Sequence, residues 1–272
     1  MDFLKRRVYA FGYMKLLATI LAGLVSVVMA KAEIHSEALE YKQGDTALEG
    51  WLVYDGTVKG KRPGVLIVHQ WKGLTDYEKK RAEMLGKLGY VAFAVDIYGK
   101  GNRPKDQSEA AAEAGKYKKD RELLRKRVNA GLEELRKQQL VDSKRIAAIG
   151  YCFGGTTVIE LARSGADIAG VVSFHGALDS PKPEDGKNIK CKVLALHGAD
   201  DPFVPAKDVA AFEDEMREAK VDWELVKYGG AVHSFTLWDA HSEGQAYNEK
   251  ADKRSWEEMR RFFGEVFGEK GR

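Results

Sequence analysis

The chain has 272 residues, a formal net charge of +3, 44% hydrophobic and 31% charged residues, 28 Gly, 6 Pro and 2 Cys. This composition is that of a globular protein, and it excludes collagen-like chains, disordered chains and small disulfide-stabilised scaffolds. Residues 1–32 carry +4 of the charge, which leaves −1 for the rest, so the body of the protein lacks the basic surplus that binding to nucleic acid or anionic lipid would need.

The first 32 residues have the layout of a secretory signal peptide. Basic residues precede an uncharged apolar run from Leu16 to Ala30, and the run ends in Ala30-Lys31-Ala32, with small residues at the two positions that a signal peptidase reads. At 15 residues, the run is shorter than the roughly 20 that a helix needs to cross a bilayer. We predict cleavage after Ala32, with an uncleaved anchor as the alternative, whether translation begins at Met1 or at Met14. Either start predicts a periplasmic or secreted protein without stable membrane association after cleavage.

Short apolar runs follow, and they alternate with longer segments of helical periodicity. Two early segments, residues 38–41 and 47–54, mix apolar with polar residues and predict an antiparallel hairpin at a sheet edge. The later apolar runs are continuous, which is typical of strands in a parallel sheet that is covered on both faces. These predicted strands are residues 65–68, 91–95, 146–149, 169–174 and 193–196, followed by a late strand at 224–228.

The segments between the strands predict helices at residues 76–88, about 107–139, 156–164, 206–219 and 249–267. The segment 107–139 is strongly charged, and we expect one long helix with a solvated face. The repetition of strand and helix predicts the α/β class, with a doubly wound, mostly parallel sheet, helices on both faces and a three-layer sandwich. Because no repeat, low-complexity tract or Pro-rich linker marks a boundary, residues 33–272 are predicted to be a single domain.

The strongest chemical signal is the sequence GYCFGG at residues 150–155, which follows one predicted strand and precedes a predicted helix. The central residue of such a tight turn is held in a strained conformation, and flanking glycines let the backbone approach closely. The thiol of Cys152 is then exposed above the carboxyl edge of the sheet, where the dipole of the next helix favours a thiolate. The backbone N–H of Phe153 can donate to an oxyanion. This turn usually carries Ser, and here Cys replaces it.

Two later loops supply the partners that a cysteine nucleophile needs. The loop ADDPFVP, residues 199–205, follows a predicted strand and brings the carboxylate of Asp201 to the same sheet edge. Asp200 is the alternative acid, and Asp201 could instead cap the next helix. The loop GGAVHSF, residues 229–235, follows the last predicted strand and presents His233. The chain order nucleophile, acid, histidine, each after a successive strand, is that of the α/β-hydrolases.

The loop HQWKGL, residues 69–74, is expected to supply the second oxyanion donor, and the N–H of Trp71 is the candidate. The indole of Trp71, or that of Trp238 near His233, is expected to form an apolar wall, with plain packing as an equal alternative for each. His69 and His197 occur at strand ends, where hydrogen-bonded structural roles are expected. No role is assigned to His241, which we expect to be exposed.

The sequence resembles the dienelactone hydrolase family of α/β-hydrolases over nearly all of the chain after residue 32. The motifs that carry the resemblance are specific together and much less so singly. They are GYCFGG at residues 150–155, DPFVP at 201–205, HSF at 233–235 and DIYG at 96–99. The resemblance implies hydrolysis of an ester or lactone, with no metal and no organic cofactor.

The resemblance also implies roles for particular residues. It implies a catalytic triad of Cys152, His233 and Asp201, and oxyanion N–H groups at Trp71 and Phe153. His233 would deprotonate the thiol, and Asp201 would fix the imidazole tautomer.

The chain departs from the family's pattern at two positions. The well-studied lactonases of the family have a glutamate that helps to activate the thiol where this chain has Gln70, and Gln70 cannot accept a proton. They also have an arginine for the substrate carboxylate shortly after the catalytic histidine, where this chain has Leu237. The missing arginine argues against dienelactone itself as the substrate. Gln70 is expected to line the substrate site with Trp71 and Trp238, and without a glutamate we expect a resting thiolate paired with the catalytic histidine.

We therefore predict a hydrolase that cleaves a small-molecule carboxylic ester or lactone through a thioester on Cys152, as a monomer or weak homodimer. The alternatives are a carboxylesterase or thioesterase acting on acyl esters of the cell envelope, a non-catalytic binding protein, and a periplasmic thiol protein that uses Cys152 in redox or metal chemistry. Cys152, His197 and His233 lack the short spacings of metal ligands. A disulfide between Cys152 and Cys191 is not expected, because Cys191 opens an apolar, strand-like run.

Overall fold

The computed structural model describes residues 32–268. The predicted signal peptide, residues 1–32, therefore lies outside the described residues except for Ala32. Within the described part, the elements build one large sheet with helices on both faces, which confirms the predicted α/β-hydrolase fold. No helix between residues 32 and 268 is both long and apolar enough to cross a membrane.

The large sheet is antiparallel at one edge and parallel elsewhere. Its strands are β1 (Ile34–Gln43), β2 (Thr46–Asp55), β3 (Arg62–Val68), β4 (Val91–Val95), β5 (Val141–Tyr151), β6 (Gly170–Phe174), β7 (Lys192–Gly198) and β8 (Trp223–Tyr228). Their order across the sheet is β1-β2-β4-β3-β5-β6-β7-β8. β1 and β2 form the predicted hairpin, β2 runs antiparallel to β4, and every later pair is parallel.

Helices cover both faces of the sheet. They are α1 (Asp76–Lys87), α2 (Gln107–Lys119), α3 (Arg121–Lys137), α4 (Phe153–Arg163), α5 (Ala206–Glu218) and α6 (Glu249–Val266). α1 and α6 pack on one face, and α2 to α5 pack on the other. A 3₁₀ turn at Pro183–Asn188 and a small hairpin of β9 (His241–Ser242) and β10 (Gln245–Ala246) complete the described elements.

Successive residues of the central strands alternate between two apolar cores. In β3, Val65 and Ile67 pack under α1 and α6, whereas Leu66 and Val68 pack on the opposite face. All four side chains are completely buried. Because both faces of these strands are covered, their sequences are continuous apolar runs.

The charged segment at residues 107–139 forms two helices, so the prediction of one long helix was wrong. α2 ends and α3 begins at Asp120, whose backbone is not helical (φ −114°, ψ 81°). Its carboxylate accepts a hydrogen bond of 2.9 Å from the N–H of Leu123, which is the typical role of aspartate at a helix start. Charged residues occupy the exposed face as predicted, but an apolar stripe that includes Leu124 and Val128 packs on the sheet.

A buried ion cluster joins three helices on this face. Arg163, at the end of α4, donates from Nη1 to Glu160 Oε1 (2.8 Å) and from Nε and Nη2 to the two carboxylate oxygens of Glu215 (2.8 and 2.6 Å). Arg125 of α3 donates to the other oxygen of Glu160 at 2.8 Å. Because Arg163 and Glu160 are fully buried, each charge depends on its partners for solvation.

We expect Arg163→Met to lower the free energy of unfolding by about 3–5 kcal/mol, because it leaves buried carboxylates without their main cation. The matched control is Arg217→Met, which removes an arginine from an exposed pair with Glu213 and Asp214. That change should cost less than about 1 kcal/mol. Urea unfolding measures both, and equal losses in the two variants would contradict a stabilising role for the buried cluster.

Candidate active site

Cys152 occupies the turn between β5 and α4, at the carboxyl end of the central strands. Its backbone has φ +55° and ψ −114°, a region that non-glycine residues rarely adopt. A Cβ at Gly150 would lie 2.0 Å from the carbonyl oxygen of Gly154, and a Cβ at Gly154 would lie 2.2 Å from that of Val68. Both glycines are therefore required by close backbone approach, and the turn they permit projects the thiol from the edge of the sheet.

The structure brings Cys152, His233 and Asp201 together in that order. Nε2 of His233 lies 3.0 Å from Sγ of Cys152, and Nδ1 lies 2.8 Å from Oδ2 of Asp201. The carboxylate is completely buried, and its Oδ1 accepts a hydrogen bond of 2.9 Å from the N–H of Phe203. The imidazole thus bridges a thiol and a carboxylate whose own position is fixed by the backbone.

The two alternatives for the acid are resolved by the contacts. Asp200 accepts the N–H of Gly230 at 2.9 Å on the surface of the protein, and it has no contact with the imidazole of His233 among the hydrogen bonds of residues 32–268. α5 begins after Pro205 without any side-chain cap, so Asp201 does not cap that helix. The carboxylate beside the imidazole is that of Asp201.

The thiol and the imidazole change each other's pKa. Burial alone would raise the pKa of Cys152, but the charge and hydrogen bond of His233, helped by the N–H of Phe153, bring it below its ordinary value. Burial alone would lower the pKa of His233, but the thiolate and the carboxylate of Asp201 raise it to about 10. Both pKa shifts act in the direction of a thiolate–imidazolium pair, which is the resting state that the sequence predicts.

A second histidine, which sequence analysis missed, also contacts Cys152. His175 is completely buried, and its Nδ1 accepts a hydrogen bond of 3.1 Å from the backbone N–H of Cys152. Its ring lies 5.3 Å from that of His233, centroid to centroid. One signal could have found it: His175 directly follows a predicted strand, and the carboxyl ends of parallel strands meet at the same sheet edge.

The histidines at the other strand ends differ in their contacts. His69 accepts the N–H of Ile97 on Nε2 (3.1 Å) and donates from Nδ1 to the carbonyl oxygen of Gln70 (2.6 Å), which confirms the expected structural role. His197 is buried, but its Nδ1 has no hydrogen-bond partner among residues 32–268, so the expected bond at that nitrogen is not found. His241 is exposed as expected.

The loop that carries Gln70 and Trp71 is held in place by neighbouring side chains. The N–H of buried Gln70 donates to Glu78 at 3.3 Å, and the carbonyl oxygen of Trp71 accepts the hydroxyl of Tyr98 at 2.9 Å. Tyr98 belongs to the DIYG motif, so that motif supports the loop expected to supply the second oxyanion donor.

The two exposed aromatic rings of the described residues have different neighbours. Trp238 is 42% exposed, and its ring packs on Tyr77 (4.9 Å) and on the guanidinium of Arg81 (4.6 Å). Phe203 is 53% exposed, and its ring stands perpendicular to that of His233 at 5.6 Å. Phe203 belongs to the DPFVP motif, and its exposed ring contacts the imidazole of His233.

The remaining chemistry of the cysteines is simple. Cys152 and Cys191 are both free thiols, and burial raises the pKa of Cys191 to about 12. Within residues 32–268, no group of three or more His, Cys, Asp or Glu side chains is arranged to hold a metal ion.

The chain is similar in sequence and in fold to known proteins. The model of the "Dienelactone hydrolase family" matches residues 48–267. A solved structure named m3DLH is 40% identical with a TM-score of 0.83, covering 86% of this chain and 98% of that one. The crystal structure of a dienelactone hydrolase-like promiscuous phosphotriesterase, P91, from metagenomic libraries is 39% identical with a TM-score of 0.84, covering 87% and 99%. A probable 2-oxo-3-(5-oxofuran-2-ylidene)propanoate lactonase of Bradyrhizobium sp is 30% identical over 188 residues, which are 65% of this chain and 75% of that protein.

We expect Cys152 to be alkylated by iodoacetamide with an apparent pKa below the unperturbed value of about 8.5, because the lowered pKa makes thiolate available at lower pH. His233→Gln removes the imidazolium, so the apparent pKa should rise to about 8.5 or above. Alkylation rates by mass spectrometry from about pH 5 to 10 test this, with the buried Cys191 as an unreactive internal control. A wild-type pKa equal to that of His233→Gln would rule out the ion pair.

Proposed function

The chain belongs to the dienelactone hydrolase family, and from this premise we propose that it hydrolyses a carboxylic ester or lactone through a thioester on Cys152. The observation that carries the proposal is the pair of contacts made by His233, 3.0 Å to the thiol and 2.8 Å to Asp201. The first distance allows proton transfer, and the second orients the imidazole.

In the acylation step, the thiolate of Cys152 attacks the carbonyl carbon, and the carbonyl π electrons move to the oxygen. The N–H of Phe153, which already faces the thiol, and the N–H of Trp71 donate to this oxyanion. As the carbon–oxygen bond to the leaving group breaks, the imidazolium of His233 gives its Nε2 proton to the departing alkoxide. The products of this step are an alcohol and a thioester; a lactone yields both on one molecule.

In the deacylation step, neutral His233 takes a proton from water as the water oxygen attacks the thioester carbon. The carbon–sulfur bond then breaks, which releases the acid and restores the thiolate and the imidazolium. Asp201 keeps the other imidazole proton on Nδ1 throughout, so that Nε2 faces the reacting atoms.

The sequence differences at two positions narrow the substrate class. Gln70 and Leu237 stand where the family's lactonases have a glutamate and an arginine. The chain therefore lacks, at position 237, the arginine that would bind a substrate carboxylate. We therefore propose that the substrate is a small ester or lactone without a free carboxylate. Acyl esters of the cell envelope also meet this description.

The N-terminal sequence supports a place for this reaction. Residues 1–32 have the pattern of a signal peptide, and we propose that residues 33–272 act as a single periplasmic or secreted domain, as a monomer or weak homodimer.

Hydrolysis of a phosphotriester is a second candidate activity. It is favoured by the likeness to P91, which is named as a promiscuous phosphotriesterase and is 39% identical over 87% of this chain. The same thiolate would attack phosphorus instead of carbon, the phosphorus–oxygen bond to the leaving group would break, and His233 would protonate the departing alkoxide. Water activated by His233 would then cleave the phosphorus–sulfur bond, while the same N–H groups face the phosphoryl oxygen.

The test is hydrolysis of p-nitrophenyl acetate and butyrate by the purified protein, followed from the first turnover. We expect a burst of p-nitrophenol equal to the amount of enzyme, lost in Cys152→Ala, and a fall of about 10⁴-fold in kcat for Asp201→Asn because the imidazole takes the wrong tautomer. The matched control is Asp200→Asn, one residue away and on the surface, which should keep its activity.

Two outcomes of this assay contradict the proposal. Turnover that persists in Cys152→Ala excludes the thioester, and equal losses in Asp200→Asn and Asp201→Asn exclude the assigned acid. A paraoxon assay with the same variants separates the phosphotriester activity from the ester activity.

A further inference from the structure

We propose that His175 is a positioning residue for the nucleophile: a neutral imidazole that accepts the backbone N–H of Cys152 on Nδ1, donates from Nε2 to Thr236, and holds the thiol within reach of His233. The proposal rests on the proposed function for its effect on turnover, but not for its effect on the thiol itself.

The tautomer of His175 follows from the kinds of group that it contacts. The backbone N–H of Cys152 can only donate, so Nδ1 of His175, 3.1 Å away, must carry a lone pair. The ring proton is then on Nε2, where the hydroxyl oxygen of Thr236 accepts it at 2.8 Å. A proton on Nδ1 would place two donors against each other, and the turn would lose this contact.

The groups that face the ring keep it neutral. His175 is completely buried, which lowers its pKa well below the usual value, and the nearby positive charges of His233 and Arg81 act in the same direction. The titratable and charged groups around the ring are Cys152, Tyr151, His233, His197 and Arg81. The protein therefore has two adjacent imidazoles with opposite tasks, a neutral one that holds the backbone and a charged one that exchanges protons.

Thr236 is itself held by two buried side chains of α1. The hydroxyl of Tyr77 lies 2.8 Å from the hydroxyl of Thr236, and Arg81 donates to the Thr236 carbonyl oxygen at 3.0 Å. Arg81 also forms a buried ion pair of 2.6 Å with Asp252 of α6. This chain of contacts joins α1 and α6 to the backbone of the nucleophile.

The contact matters because the nucleophile's backbone is strained. Cys152 has φ +55°, and its N–H is shared between the carbonyl oxygen of Phe174 (3.0 Å) and Nδ1 of His175. Without the second acceptor, one of the two restraints on this N–H is lost, and the 3.0 Å contact between Sγ and His233 is no longer fixed. A displacement of about 1 Å at a reacting atom can cost about 100-fold in rate.

The first pair of variants tests the acceptor. His175→Asn keeps an acceptor oxygen near the position of Nδ1 and tolerates the positive φ of 40°, whereas His175→Leu removes the acceptor. We expect His175→Leu to raise the apparent pKa of Cys152 alkylation and to slow the p-nitrophenyl acetate burst by about 10- to 100-fold. His175→Asn should keep both values near those of the wild type.

The second pair tests the tautomer and does not depend on the stability of His175→Leu. Thr236→Val removes the acceptor for Nε2, and Thr236→Ser retains it. We expect Thr236→Val to raise the alkylation pKa and slow the burst in the wild-type background, but to add little in the His175→Asn background, because the amide of an asparagine has no tautomer to lose. Thr236→Ser should behave as the wild type in both backgrounds. The double-mutant cycle removes any structural cost of Thr236→Val that is common to both backgrounds.

The outcomes separate this inference from the proposed function. It is overturned if His175→Leu alkylates and reacts as the wild type does, or if Thr236→Val has equal effects in the two backgrounds. Raised alkylation pKa values in His175→Leu and Thr236→Val, together with no ester turnover by the wild type, would support the positioning role and reject the hydrolase.

Discussion

The close approach of one turn to the neighbouring strand determines the rest of the candidate site. Between β5 and α4 the backbone leaves no space for a Cβ at Gly150 or Gly154, and Cys152 adopts the positive φ that this turn demands. The thiol then points out of the sheet edge, and the N–H of Phe153 in the first turn of α4 faces it. His233 and Asp201 reach the same place because their loops follow parallel strands that end at this edge.

Three histidines at this edge, His69, His175 and His233, differ in pKa because their rings have different neighbours. His69 and His175 each use one ring nitrogen to accept a backbone N–H, and burial lowers the pKa of His69 to about 4 and that of His175 well below its usual value. His233 is almost as deeply buried, but it lies between a carboxylate and a thiol, and these anions raise its pKa. Burial therefore disfavours charge on all three. At His69 the nearby carboxylate of Asp96 does not offset burial, whereas at His233 the thiolate and Asp201 together do.

The sequence predicted the fold class, the strand positions and the three residues that converge at the site, because these depend on local patterns. Continuous apolar runs report two-sided burial, and glycines around Cys152 report a close approach. The break at Asp120 was missed because its charged surroundings continue a helical pattern. What marks the break in the structure is the contact of its carboxylate with the N–H of Leu123, which begins α3. His175 was missed because its role depends on a contact with a residue 23 positions away, which no local spacing reports.

One loop supplies both the imidazole that contacts the thiol of Cys152 and the hydroxyl that contacts His175, since His233 and Thr236 are three residues apart. An insertion or deletion between these two positions would therefore disturb the contact of His233 with Cys152 and the contact of Thr236 with His175 at the same time. By contrast, α2 and α3 lie between β4 and β5 and contain none of Cys152, Asp201 and His233. Changes of length between α2 and α3 leave all three of these residues in place, so they should be tolerated more readily than changes in the loop after β8.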